Sequence, residues 1–375
     1  MRREQKKVIL EDLKKKMVFL VGPRQVGKTW LSKEIMKSYK NPLYLNYDNA
    51  IDKQKIKSLD WLLDVDILVL DELHKMPKWK NFLKGIYDIR NPDMHILVTG
   101  SARLETFRKS GDSLAGRFFV HHLLPISLKE MQNTIYDGDM TRLIERGGFP
   151  EPFLSTDISD AKKWRETYVD SLLREDVLDF KEIEKYKAMR DVFEILRYKV
   201  GSQISYSNIA NDVGISPTTV KTYIMILEAL YIVYLIRPYS KKINRSILKS
   251  PKIYFYDTGL IKSEDGVIFE NLIANSLQKH ISALRDIKGE VKNLMYLKDK
   301  ENREVDFAII DDKDQIEQLI EVKTSDLDIS SSLKYFVNKL DKNAIQVVKN
   351  ARHQMQKENK IKIVPATTFL KDLFL

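Results

Sequence analysis

The stretch MVFLVGPRQVGKTWLSKEIM, residues 17–36, contains an apolar run, the pattern GxxxxGK[ST] and a helix-like run, in that order. This succession of strand, loop and helix is the context in which a P-loop binds phosphate. Gly22 and Gly27 let the backbone turn tightly and bring its N–H groups against phosphates. Lys28 supplies a charge for the β- and γ-phosphates, and Thr29 supplies a hydroxyl for Mg²⁺. The predicted nucleotide-binding residues are Gly22, Pro23, Arg24, Gln25, Val26, Gly27, Lys28, Thr29 and Trp30.

A second apolar run, VDILVLDELHK at residues 65–75, is typical of a buried strand and ends in two acids. It has the form of a Walker B motif. Asp71 would hold Mg²⁺ through water, and Glu72 could orient or deprotonate the attacking water. These two residues therefore extend the predicted site from nucleotide binding to hydrolysis.

A third run, MHILVTGSAR at residues 94–103, also reads as a buried strand, and it ends in small polar residues. Ser101, or Thr99 as the alternative, could sense the γ-phosphate. A helix N-cap is the other role open to these hydroxyl groups.

Composition limits the classes of protein and of site. The chain has 375 residues, enough for two or three domains, with 43% hydrophobic and 31% charged residues. It contains no apolar run of membrane-spanning length, and its basic N-terminal segment lacks the apolar core of a signal peptide, so we expect a cytoplasmic protein. Since the chain has no cysteine and its six histidines form no HExxH pattern, a metal site would need carboxylates.

The segment ISYSNIANDVGISPTTVKTYIMILEALYIVYLIRPY, residues 204–239, has the pattern of a helix-turn-helix. Ser216 is placed as an N-cap and Pro217 at the first helical position. Val220, Ile224, Leu227 and Tyr231 share one face of the predicted helix, which leaves Thr218, Thr219, Lys221 and Thr222 free at its start.

A strand and the basic run SKKINRSILKSPK, residues 240–252, follow this helix. Residues 181–262 hold 14 Lys/Arg against 7 Asp/Glu, an excess of 7, so that only +3 of the net charge of +10 belongs to all other residues. This pattern predicts a winged helix that contacts DNA phosphates. Protein docking is the alternative.

The segments VDFAII and IEQLIEVK, within residues 303–325, can pair as a hairpin. Its register would put Phe307 opposite Ile320 on an apolar face and Asp306 opposite Glu321 on the other face. Two facing carboxylates are destabilising unless something compensates their charge, and a divalent cation is one candidate. A purely structural face of salt bridges is the alternative.

Several motifs resemble, in sequence and in order, the archaeal-type AAA ATPases of the AAA+ superfamily. The resemblance implies a five-stranded parallel sheet flanked by helices, ATP rather than GTP, and Mg²⁺. It also implies that Arg117 is an arginine finger acting on a neighbour's nucleotide, with a salt bridge, or Arg103 in its place, as the alternatives. The motifs are GPRQVGKT, LVLDELHK, ILVTGSAR, SGDSLAGRF and LLPISLKEM.

The C-terminal hairpin resembles the PD-(D/E)XK nuclease superfamily, and the same order resembles the domain of unknown function that commonly ends these ATPases. Carried over, the metal ligands would be Glu270, Asp306 and Glu321, and Lys323 would orient or activate a water. Asp306 follows Val305 rather than the proline of the family pattern. An active nuclease, an inactive nuclease-like module and a mistaken pairing all stay open.

The sequence thus predicts an α/β protein with four parts: an AAA+ core with a parallel sheet at 1–130, a helical lid or linker at 131–185, a winged helix at 186–262 and a small α/β nuclease-like domain at 263–375. The expected activity is Mg²⁺-dependent ATP hydrolysis, coupled to DNA binding and with DNA cleavage as an open addition. The alternative is a signalling or adaptor ATPase with an inactive nuclease-like domain. We expect no membrane, and either a homo-oligomer or a protein partner.

Overall fold

The structure is a computed structural model, and the chain forms two compact units, residues 1–124 and 125–375. The structure describes residues 3–62, 64–100, 114, 116–176, 186–240, 250–325, 327–358 and 360–375. Ser101 and Arg103, and most of the basic run at 240–252, lie outside the described residues. None of the described helices is both long enough and apolar enough to cross a membrane.

The first unit is built on a five-stranded sheet in which every pair of neighbouring strands is parallel. Its strands are β1 (Met17–Val21), β2 (Pro42–Asn46), β3 (Ile67–Asp71), β4 (His95–Gly100) and β5 (Phe118–His122). Its helices include α1 (Gln5–Leu13), α2 (Lys28–Met36), α3 (Ala50–Ser58) and α4 (Trp79–Ile89). The strand order is β2-β3-β4-β1-β5, and β1 and β3 are buried at every residue, as strands covered on both faces are. The predicted parallel α/β core is confirmed.

This strand order determines where the two nucleotide motifs meet. β1 ends at Val21 and β3 ends at Asp71, and only β4 lies between them, with Thr99 in register with Asp71. Because parallel strands end at the same edge of a sheet, the loop after β1 and the acids after β3 emerge together. Two strand spacings separate them by roughly 10 Å.

The second unit begins with helices and continues into a sheet. Its first helices are α5 (Met140–Arg146), α6 (Pro150–Leu154), α7 (Ile158–Ser171), α8 (Tyr186–Arg197), α9 (Tyr206–Val213) and α10 (Pro217–Ala229). α9 ends at Val213 and is followed by its C-cap Gly214, whose φ of 74° is left-handed. Helix α10 begins as predicted, because the Ser216 hydroxyl accepts a hydrogen bond from the Thr219 N–H at 3.1 Å and Pro217 occupies the first position.

One eight-stranded mixed sheet organises the rest of this unit. Its strands are β6 (Val233–Pro238), β7 (Lys252–Phe255), β8 (Asn293–Lys298), β9 (Glu304–Ile310), β10 (Ile316–Lys323), β11 (Ala344–Val348), β12 (Met355–Glu358) and β13 (Ile361–Pro365). The helices among them are α11 (Asp265–Ala283), α12 (Ser331–Leu340) and α13 (Ala366–Asp372). The order is β12-β13-β11-β10-β9-β8-β6-β7.

The hairpin of β6 and β7 belongs to the same sheet as the C-terminal strands. β6 pairs with β7 in antiparallel fashion and continues the sheet in parallel with β8, where Arg237 faces Met295. The predicted boundaries at 185/186 and 262/263 therefore fall inside one compact unit, and the second of them separates strands of a single sheet. The predicted end of the ATPase core at residue 130 lies six residues beyond the end of the first unit at residue 124.

Candidate functional site

The P-loop, residues 22–29, leads from β1 into α2 through a backbone that requires glycine. Gly22 has a φ of 149°, and a Cβ at this position would lie 2.2 Å from the carbonyl oxygen of Leu123. Gly27 has a left-handed φ of 99° and is the N-cap of α2. The loop therefore sets the N-terminus of α2, which favours an anion, at the edge of the sheet where the strands end.

Lys28 lies folded against the loop that precedes it. Its side chain is buried, and Nζ donates hydrogen bonds to the carbonyl oxygens of Gly22 at 2.9 Å and Pro23 at 2.6 Å. The ammonium group is thus held inside the ring of backbone that a phosphate would enter.

Trp30, the last residue of the predicted segment, and Arg3, which lies outside it, are both next to the loop. Trp30, 47% exposed, lines a cleft of about 510 Å³ with Leu10 of α1 and Leu31 of α2. Arg3 is buried, and its guanidinium donates to the carbonyl oxygens of Val26 at 2.7 Å and Leu124 at 3.2 Å. The sequence gives no local signal that Arg3 supports the P-loop, because its partners are distant along the chain.

Asp71 lies next to the predicted magnesium ligand of the P-loop. The Thr29 hydroxyl donates to Asp71 Oδ2 at 3.0 Å, and the Thr99 hydroxyl donates to Asp71 Oδ1. A carboxylate and a hydroxyl side by side are the oxygen ligands that Mg²⁺ prefers, so these residues fit the ion. Thr99 is accordingly close to the acid, as its place at the end of β4 suggested.

Tyr44 of β2 is a member of the site that the sequence analysis did not identify. Its hydroxyl donates to Asp71 Oδ2 at 2.6 Å, the same oxygen that Thr29 contacts. Burial and then the neighbouring Asp71 carboxylate raise the pKa of Tyr44, so the phenol stays a hydrogen-bond donor. Tyr44 could have been identified only from the pairing of β2 with β3, in which Asn46 faces Asp71.

Glu72 follows Asp71 in a left-handed conformation with a φ of 54°. Its N–H donates to the Thr99 carbonyl at 3.1 Å, which fixes this turn at the end of β3. Burial, and then the charge of Asp71, raise the pKa of Glu72, whereas Lys75 and Lys28 lower it. A carboxylate with a raised pKa is suited to accept a proton from water.

Arg117 lies at the opposite edge of the sheet from the P-loop. It precedes β5, whose first residue Phe118 is in register with Met17 at the start of β1. Its Nε is 3.2 Å from Asp88 Oδ1. Because the length of β1 separates it from the P-loop, roughly 16 Å for five residues, Arg117 does not reach the nucleotide site of its own chain.

Helix α10 buries one face and exposes the other. Val220, Ile224 and Leu227 are buried, as predicted. Thr218 and Lys221 are exposed, and the helix carries no acid in its first turn. The N-terminal half of α10 thus offers small polar and basic side chains to solvent.

The stretch RGGFPEPF, residues 146–153, is held against the turn after β7. A Cβ at Gly147 would lie 1.7 Å from Asp257 Oδ1. The buried Asp257 carboxylate is 3.5 Å from Arg165 Nε, and burial raises its pKa while Arg165 opposes the shift. The glycine is therefore needed for close packing around a buried ion pair.

The hairpin of β9 and β10 has the predicted register. Phe307 faces Ile320 and Ile309 faces Gln318, and a bulge then brings Ile316 opposite Ile310. Asp306 lies on the polar face, where its Oδ2 accepts a hydrogen bond from the Val322 N–H at 2.8 Å.

Lys252 of β7 enters the predicted carboxylate cluster. Its Nζ is 2.7 Å from Glu304 Oε1 and 3.6 Å from Glu270 Oε1. The Tyr254 hydroxyl also donates to Glu270, at 2.7 Å. Burial and then Asp306 raise the pKa of Glu270 to about 7, although Lys252 opposes this.

Glu321 is paired separately with Lys323. Glu321 is buried, and its Oε1 is 2.9 Å from Lys323 Nζ. Within the described ranges, no group of three or more His, Asp or Glu side chains is spaced to hold a metal ion. Glu270 of α11, Asp306 of β9 and Glu321 of β10 therefore do not form such a group. Each is contacted by an ammonium group or a backbone N–H.

Models of three protein families match parts of the chain. Residues 14–132 match the AAA domain. Residues 137–289 match a domain of unknown function, DUF8612, and residues 265–369 match another, DUF4143. The last two matches overlap on α11, in agreement with a single second unit.

Two curated relatives, each described as an uncharacterized protein, match the chain over much of its length. A protein of Mycobacterium tuberculosis is 27% identical over 249 residues, which is 65% of this chain and 55% of that protein. A protein of Methanocaldococcus jannaschii is 25% identical over 334 residues, covering 73% of this chain and 68% of that protein. The chain thus spans about half the length of the mycobacterial relative.

Among solved structures, a Walker-type ATPase of Pyrococcus abyssi is similar with a TM-score of 0.47 and 13% identity, covering 69% of this chain and 94% of that chain. The family match over residues 14–132, together with a P-loop and a Walker B pair at one edge of a parallel sheet, supports a P-loop AAA-type ATPase.

Proposed function

We propose that this chain hydrolyses ATP in a Mg²⁺-dependent reaction that is coupled to DNA binding. One observation carries the ATPase part of the proposal: the Thr29 hydroxyl of the P-loop lies 3.0 Å from Asp71 Oδ2, and Glu72 follows Asp71 directly. Thr29 and Asp71 would hold Mg²⁺, which neutralises charge on the β- and γ-phosphates when bound.

The residues of the chain have distinct roles in this reaction. Lys28 exchanges the carbonyl oxygens of Gly22 and Pro23 for phosphate oxygens, which as charged acceptors form stronger hydrogen bonds. Glu72 orients the attacking water and accepts its proton, in agreement with its raised pKa.

The first test separates binding from hydrolysis. Lys28→Ala is expected to abolish ATP binding in a titration with a fluorescent nucleotide. Glu72→Gln is expected to retain binding and to lower the rate of phosphate release by roughly 100-fold or more. Lys37→Ala, which changes an exposed lysine just after α2, is the matched control and should behave as wild type. Unchanged ATP turnover by Lys28→Ala would refute the proposed site.

The DNA part of the proposal is supported by α10 and by charge. The exposed start of α10 carries Thr218 and Lys221, and the buried opposite face anchors the helix. A helix-turn-helix followed by the β6–β7 hairpin is the order of elements in a winged helix. Residues 181–262 carry 14 Lys/Arg against 7 Asp/Glu, which favours a polyanion.

This part is tested by the salt dependence of duplex DNA binding. Lys221→Ala is expected to weaken binding at all sequences and to lower the slope of log affinity against log salt by about one. Lys187→Ala, an exposed lysine of α8, is the control. DNA binding that is absent or insensitive to salt would instead favour the adaptor function, in which these modules dock proteins.

A further inference from the structure

We propose that the ammonium group of Lys252 is the permanent counter-ion of Glu270 and Glu304, next to Asp306, and that it fills the place which a nuclease metal ion would need. The second unit would then keep a nuclease-like arrangement of acids without holding a divalent cation. The proposal concerns the second unit and does not depend on the proposed ATPase.

Oxygens of all three acids already have hydrogen-bond or ion-pair partners. Glu304 is shared by two lysines, with Oε1 2.7 Å from Lys252 Nζ and Oε2 3.0 Å from Lys298 Nζ. Asp306 Oδ2 accepts the Val322 N–H, and Glu270 Oε1 accepts the Tyr254 hydroxyl. A metal ion that approached these oxygens from the side of their present donors would have to displace those donors.

Lys252 is enclosed, and packing restricts its movement away from the acids. The residue is only 3% exposed, and its Nζ lies 5.5 Å from the centre of the Tyr296 ring. Its strand is tied to α11, because the Asn271 side chain accepts from the Phe255 N–H at 2.8 Å and donates to the Phe255 carbonyl at 2.7 Å. These two bonds also hold Glu270, the neighbour of Asn271, over β7.

The charge of Lys252 also disfavours a metal ion at this place. Mg²⁺ and similar ions bind carboxylate oxygens at about 2.0–2.2 Å. An ion at that distance from Glu270 and Glu304 would lie next to an ammonium group that contacts the same oxygens. Because both are cations they repel each other, so the ammonium group disfavours a metal ion at this position. Lys323 differs from Lys252, since its side chain is 35% exposed and it contacts Glu321 from the outer part of the cluster.

The test uses the full chain carrying Asp71→Asn, which removes Mn²⁺ binding at the nucleotide site, and measures Mn²⁺ by titration calorimetry and electron paramagnetic resonance. The chain with native Lys252 should show no Mn²⁺ binding that depends on Asp306. Lys252→Met, an uncharged residue of similar length, should raise Mn²⁺ affinity by roughly tenfold or more, and adding Asp306→Asn should remove the gain. Lys298→Met, which removes a more exposed lysine from the same Glu304, is the matched control and should show no such gain.

Two results would overturn the proposal. One is Mn²⁺ binding by the chain with native Lys252 that disappears in Asp306→Asn. The other is a Lys252→Met variant with native circular dichroism that gains no Mn²⁺ affinity. Should Lys252→Met fail to fold, the comparison of Asp306→Asn with native Asp306 still decides: equal Mn²⁺ titrations support the proposal, and a loss in Asp306→Asn contradicts it.

Discussion

Asp71 accepts hydrogen bonds from three hydroxyl groups that come from three different segments of the first unit. Thr29 and Tyr44 donate to Oδ2, and Thr99 donates to Oδ1. The Glu72 N–H also reaches Oδ1, at 3.1 Å. Such a set of donors fixes the orientation of the carboxylate, and this orientation decides how well the acid can hold a metal ion.

Among these donors, Tyr44 can be changed without altering a predicted Mg²⁺ ligand, so its effect on Asp71 can be measured separately. Tyr44→Phe removes only the hydroxyl that contacts Asp71. We expect ATP binding without Mg²⁺ to be unchanged, the half-saturating Mg²⁺ concentration to rise and the hydrolysis rate to fall by roughly tenfold, as for one hydrogen bond to a charged acceptor. Steady-state phosphate release at a series of Mg²⁺ concentrations measures both effects.

Tyr47→Phe is the control for this change. Tyr47 lies just beyond β2 and contacts Asp71 through its backbone N–H at 2.9 Å, which the substitution leaves in place. Wild-type Mg²⁺ dependence in Tyr44→Phe would show that the tyrosine does not position Asp71.

At this scale the sequence predicts what is local. The P-loop and the Walker B acids were identified because each motif is contiguous and follows its own strand. Tyr44 and Lys252 were missed because their contacts depend on which strands and helices are neighbours. Tyr44 needs β2 beside β3, and Lys252 needs β7 under α11. Strand order is set by packing over the whole unit and leaves no local signal at either residue.

At the scale of elements, the hairpin register was predictable and the ion pairs of α11 were not. Alternation of apolar residues fixes the register of β9 and β10, because a slip by one residue would invert the two faces. Lys279 of α11 forms a buried ion pair with Glu130 and also donates to the Pro125 carbonyl at 2.9 Å. This pair accounts for Glu130, the acid in the motif LLPISLKEM. The sequence alone does not identify the partner of this acid.

His280, near the end of α11, makes the stability of the second unit depend on pH. Its Nδ1 accepts the Phe374 N–H at 2.9 Å, which requires a neutral ring. Burial, and then Lys292 and Lys288, lower the pKa of His280 from 6.5 to about 4. The unfolded chain therefore binds a proton between pH 6.5 and 4 that the folded chain does not, and stability falls as the pH falls through this range.

The expected loss from His280 is about 2 kcal/mol between pH 7 and pH 5. His280→Asn keeps an acceptor for Phe374 but cannot titrate, so it should lack this loss. Urea unfolding of both proteins at the two pH values measures the difference, and the other titrating groups cancel in the comparison. Equal pH dependence in the two proteins would contradict the assignment.

At the scale of the whole molecule, the position of Arg117 bears on assembly. Arg117 stands before β5, at the edge of the sheet opposite to the P-loop, and pairs with Asp88. An arginine finger at this place would act on the nucleotide of a neighbouring copy, and hydrolysis would then need an oligomer. A structural salt bridge with Asp88 would need no oligomer. The two roles therefore differ in whether a second copy of the chain can restore ATP hydrolysis.

Mixing two inactive variants distinguishes these roles. Arg117→Ala should bind ATP and hydrolyse it roughly 1,000-fold more slowly, because a finger stabilises only the transition state. Lys28→Ala should bind no ATP but still present Arg117. If Arg117 acts between copies, the mixture recovers activity, because some interfaces join an intact nucleotide site to an intact arginine. Asp88→Ala tests the salt bridge alone and should retain hydrolysis. Arg117 would instead be a structural residue if the mixture did not recover ATP hydrolysis and if Arg117→Ala and Asp88→Ala lost the same amount of activity.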